Sequence, residues 1–341
     1  TYVPDVEVRF RYTGAEVAEA LGLPPQMGLF ASKTRWEELL RSGAERYDYG
    51  EIRGPLVEPT DLFVRSIGEG TDIVEKEMFS FADAGEKSLT LRPEGTAGVV
   101  RAYLEGGLPA SSPFARFYYL GPMFRRERPQ AGRRRQFHQF GVEALGLKSP
   151  ALDAETIDLL ASALAAAGAG EMRLSLNSVG CPACRPSWQS SLREYFSGRR
   201  DGLCEHCRGR LEKNVLRVLD CKNPRCRAVA AGAPRTEAHL CASCREHFDA
   251  VLAFLRELGV AFAVDPLLVR GLDYYTGTVF EVRSSRLGAQ DAVAAGGRYD
   301  NLIAELGGPE LGAVGFSIGM ERLLICLEGV EIAPPPPAGR F

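Results

Sequence analysis

The segment Phe124 to Glu143, FRRERPQAGRRRQFHQFGVE, is where residue types and spacing most clearly point to chemistry. An arginine opens it, Glu127 follows two residues after Arg125, and a basic loop runs into a stretch of alternating aromatic and polar residues. The guanidinium is planar and permanently charged, and its fork meets two phosphate oxygens at once. Phe137 offers an apolar face to a purine base. Gln139 and Glu143 share its parity, so an extended strand places all three on one face. The combination suits a nucleoside triphosphate. Seven arginines lie between Arg116 and Arg135 against one acid, Glu127, in a chain of net charge −3. Such a local positive field fits one phosphate-bearing ligand better than a general coating of nucleic acid; the alternative is a solvated basic face.

A second set of chemical groups is made of thiols. Eight of the nine cysteines fall between Cys181 and Cys244. Cys181/Cys184, Cys204/Cys207 and Cys241/Cys244 are CxxC pairs, and Cys221 with Cys226 is a looser fourth. Two thiolates three positions apart in a turn can grip a tetrahedral Zn²⁺, and two such pairs complete a four-sulfur site. Eight ligands would satisfy two structural zinc ions; the alternative is a set of reduced, partly buried thiols. The ninth, Cys326, lies in an apolar helical run and reads as core.

Elements must hold these groups in place. WEELLRSGAERY (36–47) has helical periodicity, and EIRGPLVEP (51–59) reads as a strand interrupted by Pro55. KSLTLRPEG leads from a strand into a turn, and a helix runs from Thr96 to about Glu105. RFYYLGPMF (116–124) and QFHQFGVEAL (136–145) read as two strands joined by the basic loop. His138 points away from Phe137 and reads as a satisfied core histidine, and Tyr118 and Tyr119 read as sheet packing. Residues 153–168 favour a helix and MRLSLNSV a strand. Residues 180–246 form a small folded insert with helical segments such as RGRLEKNVLRVLD. After it come a helix (HFDAVLAFLRELG), strands VAFAVD, TGTVFEVR, DAVAAGG and AVGFSIG, and helical stretches RYDNLIAEL and MERLLICLEG. With no repeating strand–helix–strand unit, the class is α+β around an antiparallel sheet flanked by helices.

At 341 residues and 45% hydrophobic, the chain can bury a full core and hold two or three domains. No apolar run is long enough to span a bilayer, and the first thirty residues lack a secretory pattern, so a cytoplasmic protein with reduced thiols is expected.

Phe124–Glu143 resembles motif 2 of class II aminoacyl-tRNA synthetases. LGAVGFSIGMERLL (311–324), with Arg322 after the strand, is similar to motif 3, and GEIRGPLVEPTDLF, with Pro55, to motif 1, the dimer-forming element. LVRGLDYYTGTVFE (268–281) and AAGGRYDNLI (294–303) resemble the two peptides peculiar to histidyl-tRNA synthetases, and LTLRPEGTAGVVRAYL (89–104) the matching stretch with the Glu94-Gly95-Thr96 of a histidine pocket. The resemblance covers about Tyr47 to Leu327. It implies a class II synthetase fold in a homodimer that activates L-histidine with ATP to histidyl-adenylate and transfers it to tRNA(His), with no membrane partner.

The resemblance also implies roles. Glu94 and Thr96 with Gln139 take the amino group of histidine, while Glu143 and Tyr274 or Tyr275 read the imidazole. A site that bonds a polar ring leaves buried groups unpaired when an apolar amino acid enters, which rejects it strongly. Arg125, Arg270 and Gln139 stand next to the reacting atoms. Arg125 meets the α-phosphate, Arg322 and Arg133 the γ-phosphate, Phe137 the base, and Glu127 belongs to the same ATP-binding set. Arg270 occupies the place beside the α-phosphate where a metal ion could otherwise sit, and Mg²⁺ bridges the β- and γ-phosphates. Arg128 and Gln130 match positions that contact the acceptor end of tRNA; the alternative for them is a solvated loop. The cysteine-rich stretch resembles the insertion domain of bacterial members, many of which lack these cysteines.

The resulting division is an unassigned segment 1–34, catalytic core 35–179, cysteine-rich insertion domain 180–258, second part of the core 259–331, and a Pro-rich linker or tail 332–341. The first thirty-odd residues do not match the family's opening pattern. The sequence ends where the resemblance places the linker to an anticodon-reading domain. A competing expectation is a paralogue that senses histidine as the regulatory subunit of ATP phosphoribosyltransferase without charging tRNA. Such a protein should have lost parts of the ATP machinery, whereas Arg125, Glu127, Arg270 and Arg322 all stand in place here.

Overall fold

The computed structural model describes residues 30–127, 133–170, 172–288 and 291–327. Helix α1 (Phe30–Arg46) presents Trp36 and Leu40 to the core. The expected strand over 51–59 divides in two. Strand β1 (Gly50–Glu51) lies parallel to β5 (Ala115–Phe124), while β2 (Val57–Pro59) joins a separate small sheet with β3 (Phe79–Ala82) and β4 (Ser88–Leu91). Pro55 lies at the break, where the chain cannot donate to a ladder. The Arg92 guanidinium bridges it, donating to the carbonyls of Gly54 (3.1 Å) and Pro122 (2.9 Å). Strand β3 had no counterpart in the sequence reading.

The main sheet has eight strands among the described residues, in the order β1-β5-β6-β11-β10-β9-β7-β8. Its further members are β6 (Gln136–Leu145), β7 (Met172–Ser178), β8 (Ala263–Val264), β9 (Thr276–Ser284), β10 (Ala292–Arg298) and β11 (Ala313–Gly319). Pairing is antiparallel except at the two edges, where β1 runs parallel to β5 and β8 to β7. Strands β5 and β6 form the expected pair, in register from Ala115 opposite Leu145 to Phe124 opposite Gln136.

Period-two alternation decides which face does what. Phe140, Val142, Phe316, Ile318, Phe280 and Val282 point to one side, where α1, α4 (Pro150–Ala166) and α9 (Ala242–Glu257) cover them and build the larger core. Tyr118 belongs there, its ring centroid 6.0 Å from that of Phe140. Each such large apolar side chain, fully buried, contributes about 1.5–3 kcal/mol. The opposite face stays open to ligands. Helix α2 (Thr60–Ile67) and α3 (Thr96–Glu105) bound it on one side, and α10 (Met320–Cys326) follows β11. Cys326 is buried as expected.

The insert between β7 and α9 is helical: α5 (Arg185–Ser197), α6 (Glu205–Lys213), α7 (Leu216–Leu219) and α8 (Pro224–Ala230). The single helix read over RGRLEKNVLRVLD is broken at Asn214, whose extended backbone (φ −150°) ends α6. The expected helix RYDNLIAEL shrinks to the turn Leu302–Glu305, and VAFAVD to the two residues of β8. In both, tertiary packing rather than local propensity sets the length.

Candidate active site

On the open face of the sheet lies a cavity of about 540 Å³ whose lining includes residues from β6, β9, β10, β11, α3 and the insert. Glu94, Thr96, Arg125, Glu127, Arg133, Phe137, Gln139, Glu143, Arg270, Tyr274, Tyr275 and Arg322, scattered over more than two hundred positions of sequence, all line it. Gly95 lies against it, packed on the Tyr119 ring. The shared parity of Phe137, Gln139 and Glu143 holds: all three face the cavity. Arg128 and Gln130 lie outside the described residues, as do the terminal segments 1–29 and 328–341.

One end of the cavity is a buried polar nest. The Glu143 side chain is 1% exposed and accepts from the Thr96 hydroxyl (2.7 Å) and, on its other oxygen, from the Tyr299 hydroxyl. Burial pushes the Glu143 carboxyl up to about 8, against the pull of these hydroxyl bonds. Glu94 is driven in the same direction by burial, although it accepts the backbone N–H groups of Thr96 (2.6 Å) and Ala97 (3.0 Å) at the start of α3. Tyr119, Tyr274, Tyr275 and Tyr299 enclose this end, with the Tyr274 and Tyr275 ring centroids 4.7 Å apart. Gln139 leaves its side-chain carbonyl oxygen buried with no partner among the described residues, an acceptor available to a donor in the cavity.

Two glycines make room for this nest. Gly315 sits directly across from Glu143 and Gly141 across from Tyr119. A β-carbon on Gly315 would overlap a Glu143 carboxylate oxygen, and one on Gly141 the Tyr119 ring.

The other end is cationic. Arg125 donates to the Pro93 carbonyl (2.9 Å), and its guanidinium lies 5.3 Å from the Phe137 ring centroid. Arg133 pairs with Glu127 at 3.0 Å. Arg322 donates to the Ala292 carbonyl (2.6 Å); burial and then the charge of Arg133 push it below the ordinary arginine value. Cations that disfavour one another in a partly buried space form a site that an anion stabilises. Arg270 forms a close ion pair with Glu281. Burial opposes its charge, but that carboxylate more than offsets it. Glu281 is also bonded by Arg283 (2.5 Å) and held below the usual carboxylate range despite burial. Glu77 and Glu127 face the same volume, and burial together with the Glu127 charge pushes the Glu77 carboxyl up. The arrangement can hold a small zwitterion at one end and a polyanion at the other.

The profile described as histidyl-tRNA synthetase matches residues 24–182 and 210–323. The chain belongs to the histidyl-tRNA synthetase family. It is 50% identical over 320 residues to the histidine–tRNA ligase of Moorella thermoacetica, covering 93% of this chain and 74% of that protein. It is 53% identical over 309 residues to that of Desulforudis audaxviator, covering 89% and 74%. Among solved structures it is similar to apo S. aureus histidyl-tRNA synthetase, with TM-score 0.70 and 36% identity over 89% of this chain and 72% of that one. A Bacillus halodurans structure titled as an ATP phosphoribosyltransferase regulatory subunit/histidyl-tRNA synthetase is 24% identical with TM-score 0.66, a likeness of fold alone. The class II architecture expected from the motifs is thus the fold of this family member.

Histidyl-tRNA synthetase motifs pointed to most of the cavity but not to all of it. Tyr119, read as sheet packing, instead lines the polar nest, buried against Gly95 and Gly141. Its parity, opposite to that of Tyr118, was the available signal. Tyr299 and Glu281 lay inside the family peptides without assigned roles. His138 is satisfied as expected, its Nδ1 2.9 Å from Glu321, whose other oxygen accepts the His138 N–H.

The insert reaches the cavity too. His206, Arg210, Arg217 and Lys222 line its rim. Arg210 pairs with Asp72 (2.9 Å), Lys213 with Glu75 (2.7 Å), and Asn214 donates to Asp273 (2.8 Å), which docks the insert onto the catalytic part. Its eight cysteines gather as two groups, Cys181/Cys184/Cys241/Cys244 and Cys204/Cys207/Cys221/Cys226. Sulfur–sulfur distances are 3.7 Å for Cys181–Cys184, 3.9 Å for Cys184–Cys244 and 4.0 Å for both Cys181–Cys241 and Cys204–Cys221. A tetrahedral ion with metal–sulfur bonds of about 2.3 Å holds its sulfurs roughly 3.8 Å apart. The donor sets fit such an ion.

Proposed function

We propose that this chain is the activating core of a histidine–tRNA ligase: it joins L-histidine to ATP, forming histidyl-adenylate and pyrophosphate, and passes histidine to the 3′ end of tRNA(His). The observation that carries this reading is the juxtaposition, in one cavity, of a buried carboxyl-and-tyrosine nest with a cluster of arginines. An imidazole needs partners on both ring nitrogens, and Glu143 with Tyr274 or Tyr275 provides acceptor and donor capacity. Glu94, Thr96 and the unpaired Gln139 oxygen receive the ammonium, next to Gly95.

Activation requires the histidine carboxylate to attack the α-phosphorus in line, so two anions must be brought together. Arg125 and Arg270 neutralise that approach, while Arg322 and Arg133 hold the terminal phosphate and Phe137 the adenine; catalysis is then mainly positioning and charge stabilisation. Glu77 and Glu127 supply hard oxygen donors for Mg²⁺, which when bound neutralises the β- and γ-phosphates. Zinc in the two cysteine quartets is structural.

Arg128 and Gln130, with the basic rim of the insert, meet the acceptor end of tRNA. Exposed Val57 and Phe81 on the small sheet, with Leu56 just before it, support a homodimer through the motif 1 region. No helix among the described residues is long and apolar enough to cross a membrane, in keeping with work in the cytoplasm. We read 35–179 and 259–331 as the catalytic core and 180–258 as the insertion domain, between an unassigned 1–34 and a Pro-rich 332–341.

The deciding assay is histidine-dependent exchange of pyrophosphate into ATP, with tRNA charging alongside. Exchange with histidine alone among the twenty amino acids is expected. A folded protein without exchange would favour the regulatory-subunit reading, which the intact Arg125, Glu127, Arg270 and Arg322 disfavour.

A further inference from the structure

The loop 271–275 forms part of the amino-acid end of the cavity yet belongs to no helix or strand. Backbone carbonyls in such a segment need donors from elsewhere. For Tyr275 the donor comes from the insert: the Arg185 Nη2 gives a hydrogen bond to its carbonyl at 2.5 Å. The same guanidinium donates to the carbonyls of Val179 (Nε, 3.2 Å) and Gly180 (Nη2, 3.1 Å). One half-buried side chain therefore ties the end of β7 to the loop that carries Tyr274 and Tyr275.

Arg185 is fixed by the first cysteine quartet. It follows Cys184 directly, opens α5, and its N–H donates to the Cys181 carbonyl at 2.9 Å. Cys181 and Cys184 lie where the chain enters the insert, and Cys241 and Cys244 where it leaves through α9. A metal there would bind the two crossings into one rigid base. Gly180 shows how tight this base is: its φ is +69°, and a β-carbon there would stand 2.7 Å from the Cys184 sulfur. The base is also continuous with the sheet, since the Gly180 carbonyl accepts from the Gly277 N–H (3.0 Å) and the Val179 N–H donates to the Gly277 carbonyl (2.8 Å).

We infer that the Cys181/Cys184/Cys241/Cys244 quartet, filled by a four-coordinate metal ion, is a positioning device for the amino-acid pocket, acting through Arg185 on the backbone of Tyr275. This rests on the proposed zinc and histidine sites. It gives the base of the insert a role in amino-acid binding, separate from the rim that faces tRNA. Arg185 does not line the cavity, so it is a positioning residue: loosening it lets the tyrosines move, while Arg270, held by Glu281, and Arg125, Arg133 and Arg322 stay in place.

The test uses the full chain as purified without chelator, with zinc counted by elemental analysis and histidine affinity measured by equilibrium binding in the absence of ATP. Arg185→Lys retains the charge but cannot reach three carbonyls. It should weaken histidine binding and raise the KM for histidine by about tenfold, the worth of one lost charge-assisted hydrogen bond. The KM for ATP and kcat should change by less than about twofold, and zinc content should stay at two per chain. Cys244→Ser should lose one zinc and reproduce the same selective defect. Loss of that zinc with unchanged histidine affinity overturns the coupling, as does an Arg185→Lys defect shared equally by ATP and histidine. Fewer than one zinc per wild-type chain overturns the metal part, and the Arg185→Lys result then decides the carbonyl bridge by itself. Failure of wild-type protein to bind histidine overturns the functional reading on which the inference stands.

Discussion

Replacing Glu143 by glutamine removes an ionisable group while keeping the shape and one acceptor, and its effect should depend strongly on pH. The carboxyl stands at about 8 in the folded chain because burial disfavours its charge, against an ordinary value of 4.5. A raised carboxyl binds its proton more tightly when folded than when unfolded. Its contribution to stability is therefore fully present below about 4.5 and is lost as the pH rises to about 8. At about 1.4 kcal/mol per unit, the whole shift corresponds to a ceiling of about 5 kcal/mol, of which about 4 falls between pH 5 and pH 8. Glu143→Gln lacks this titration. Its urea-unfolding free energy, measured at fixed protein concentration, should gain on the wild type by up to that amount as the pH is raised from about 5 to 8. Stabilities that run parallel over this window would refute the reasoning and place the carboxyl in a hydrated, ordinary environment.

Arg270→Ala should lower histidine-dependent exchange by about three orders of magnitude by removing a cation from the reacting phosphate. The chain should stay folded, since Arg283 still pairs with Glu281; circular dichroism and exchange kinetics check both, and near-normal exchange would rule out the role. Gly315→Ala forces a methyl group into Glu143. It should destabilise the chain by about 1–3 kcal/mol and reduce histidine affinity at least tenfold, about 1.4 kcal/mol, with ATP binding retained, as read by calorimetry. Arg322→Ala should raise the KM for ATP by about 10–100-fold, the value of one or two charge-assisted bonds, with histidine binding unchanged; an equal loss for both ligands would contradict the two-ended cavity.

Much of this protein is legible in one dimension because its signals are local. The hairpin β5–β6, helix α4 and strands β9 to β11 follow from residue periodicity, which depends only on backbone geometry. Alternation placed Phe137, Gln139 and Glu143 on one face without any knowledge of what that face meets, and family motifs named the residues of the two ends. Other features depend on contacts between distant segments. Pro55 marks a break in the sequence, but the split of 51–59 between two sheets is completed by Arg92, which bridges the carbonyls of Gly54 and Pro122. Helix lengths at Asn214 and Leu302 likewise follow packing.

The cysteines make the contrast plainest. Their types and spacing point to tetrahedral thiolate sites, because a two-residue turn sets the bite of the three CxxC pairs, while Cys221 and Cys226 have four residues between them. How the four pairs combine into quartets is a question of loop closure, and no local rule answers it; the folded chain joins Cys181/Cys184 to Cys241/Cys244 across the neck of the insert. The same holds for the cavity. Sequence, through the family motifs, supplied the candidate residues for histidine and ATP that the cavity gathers. Only the tertiary structure buried Glu143 under Tyr119 and Tyr299, opposite a glycine, and that burial sets its protonation.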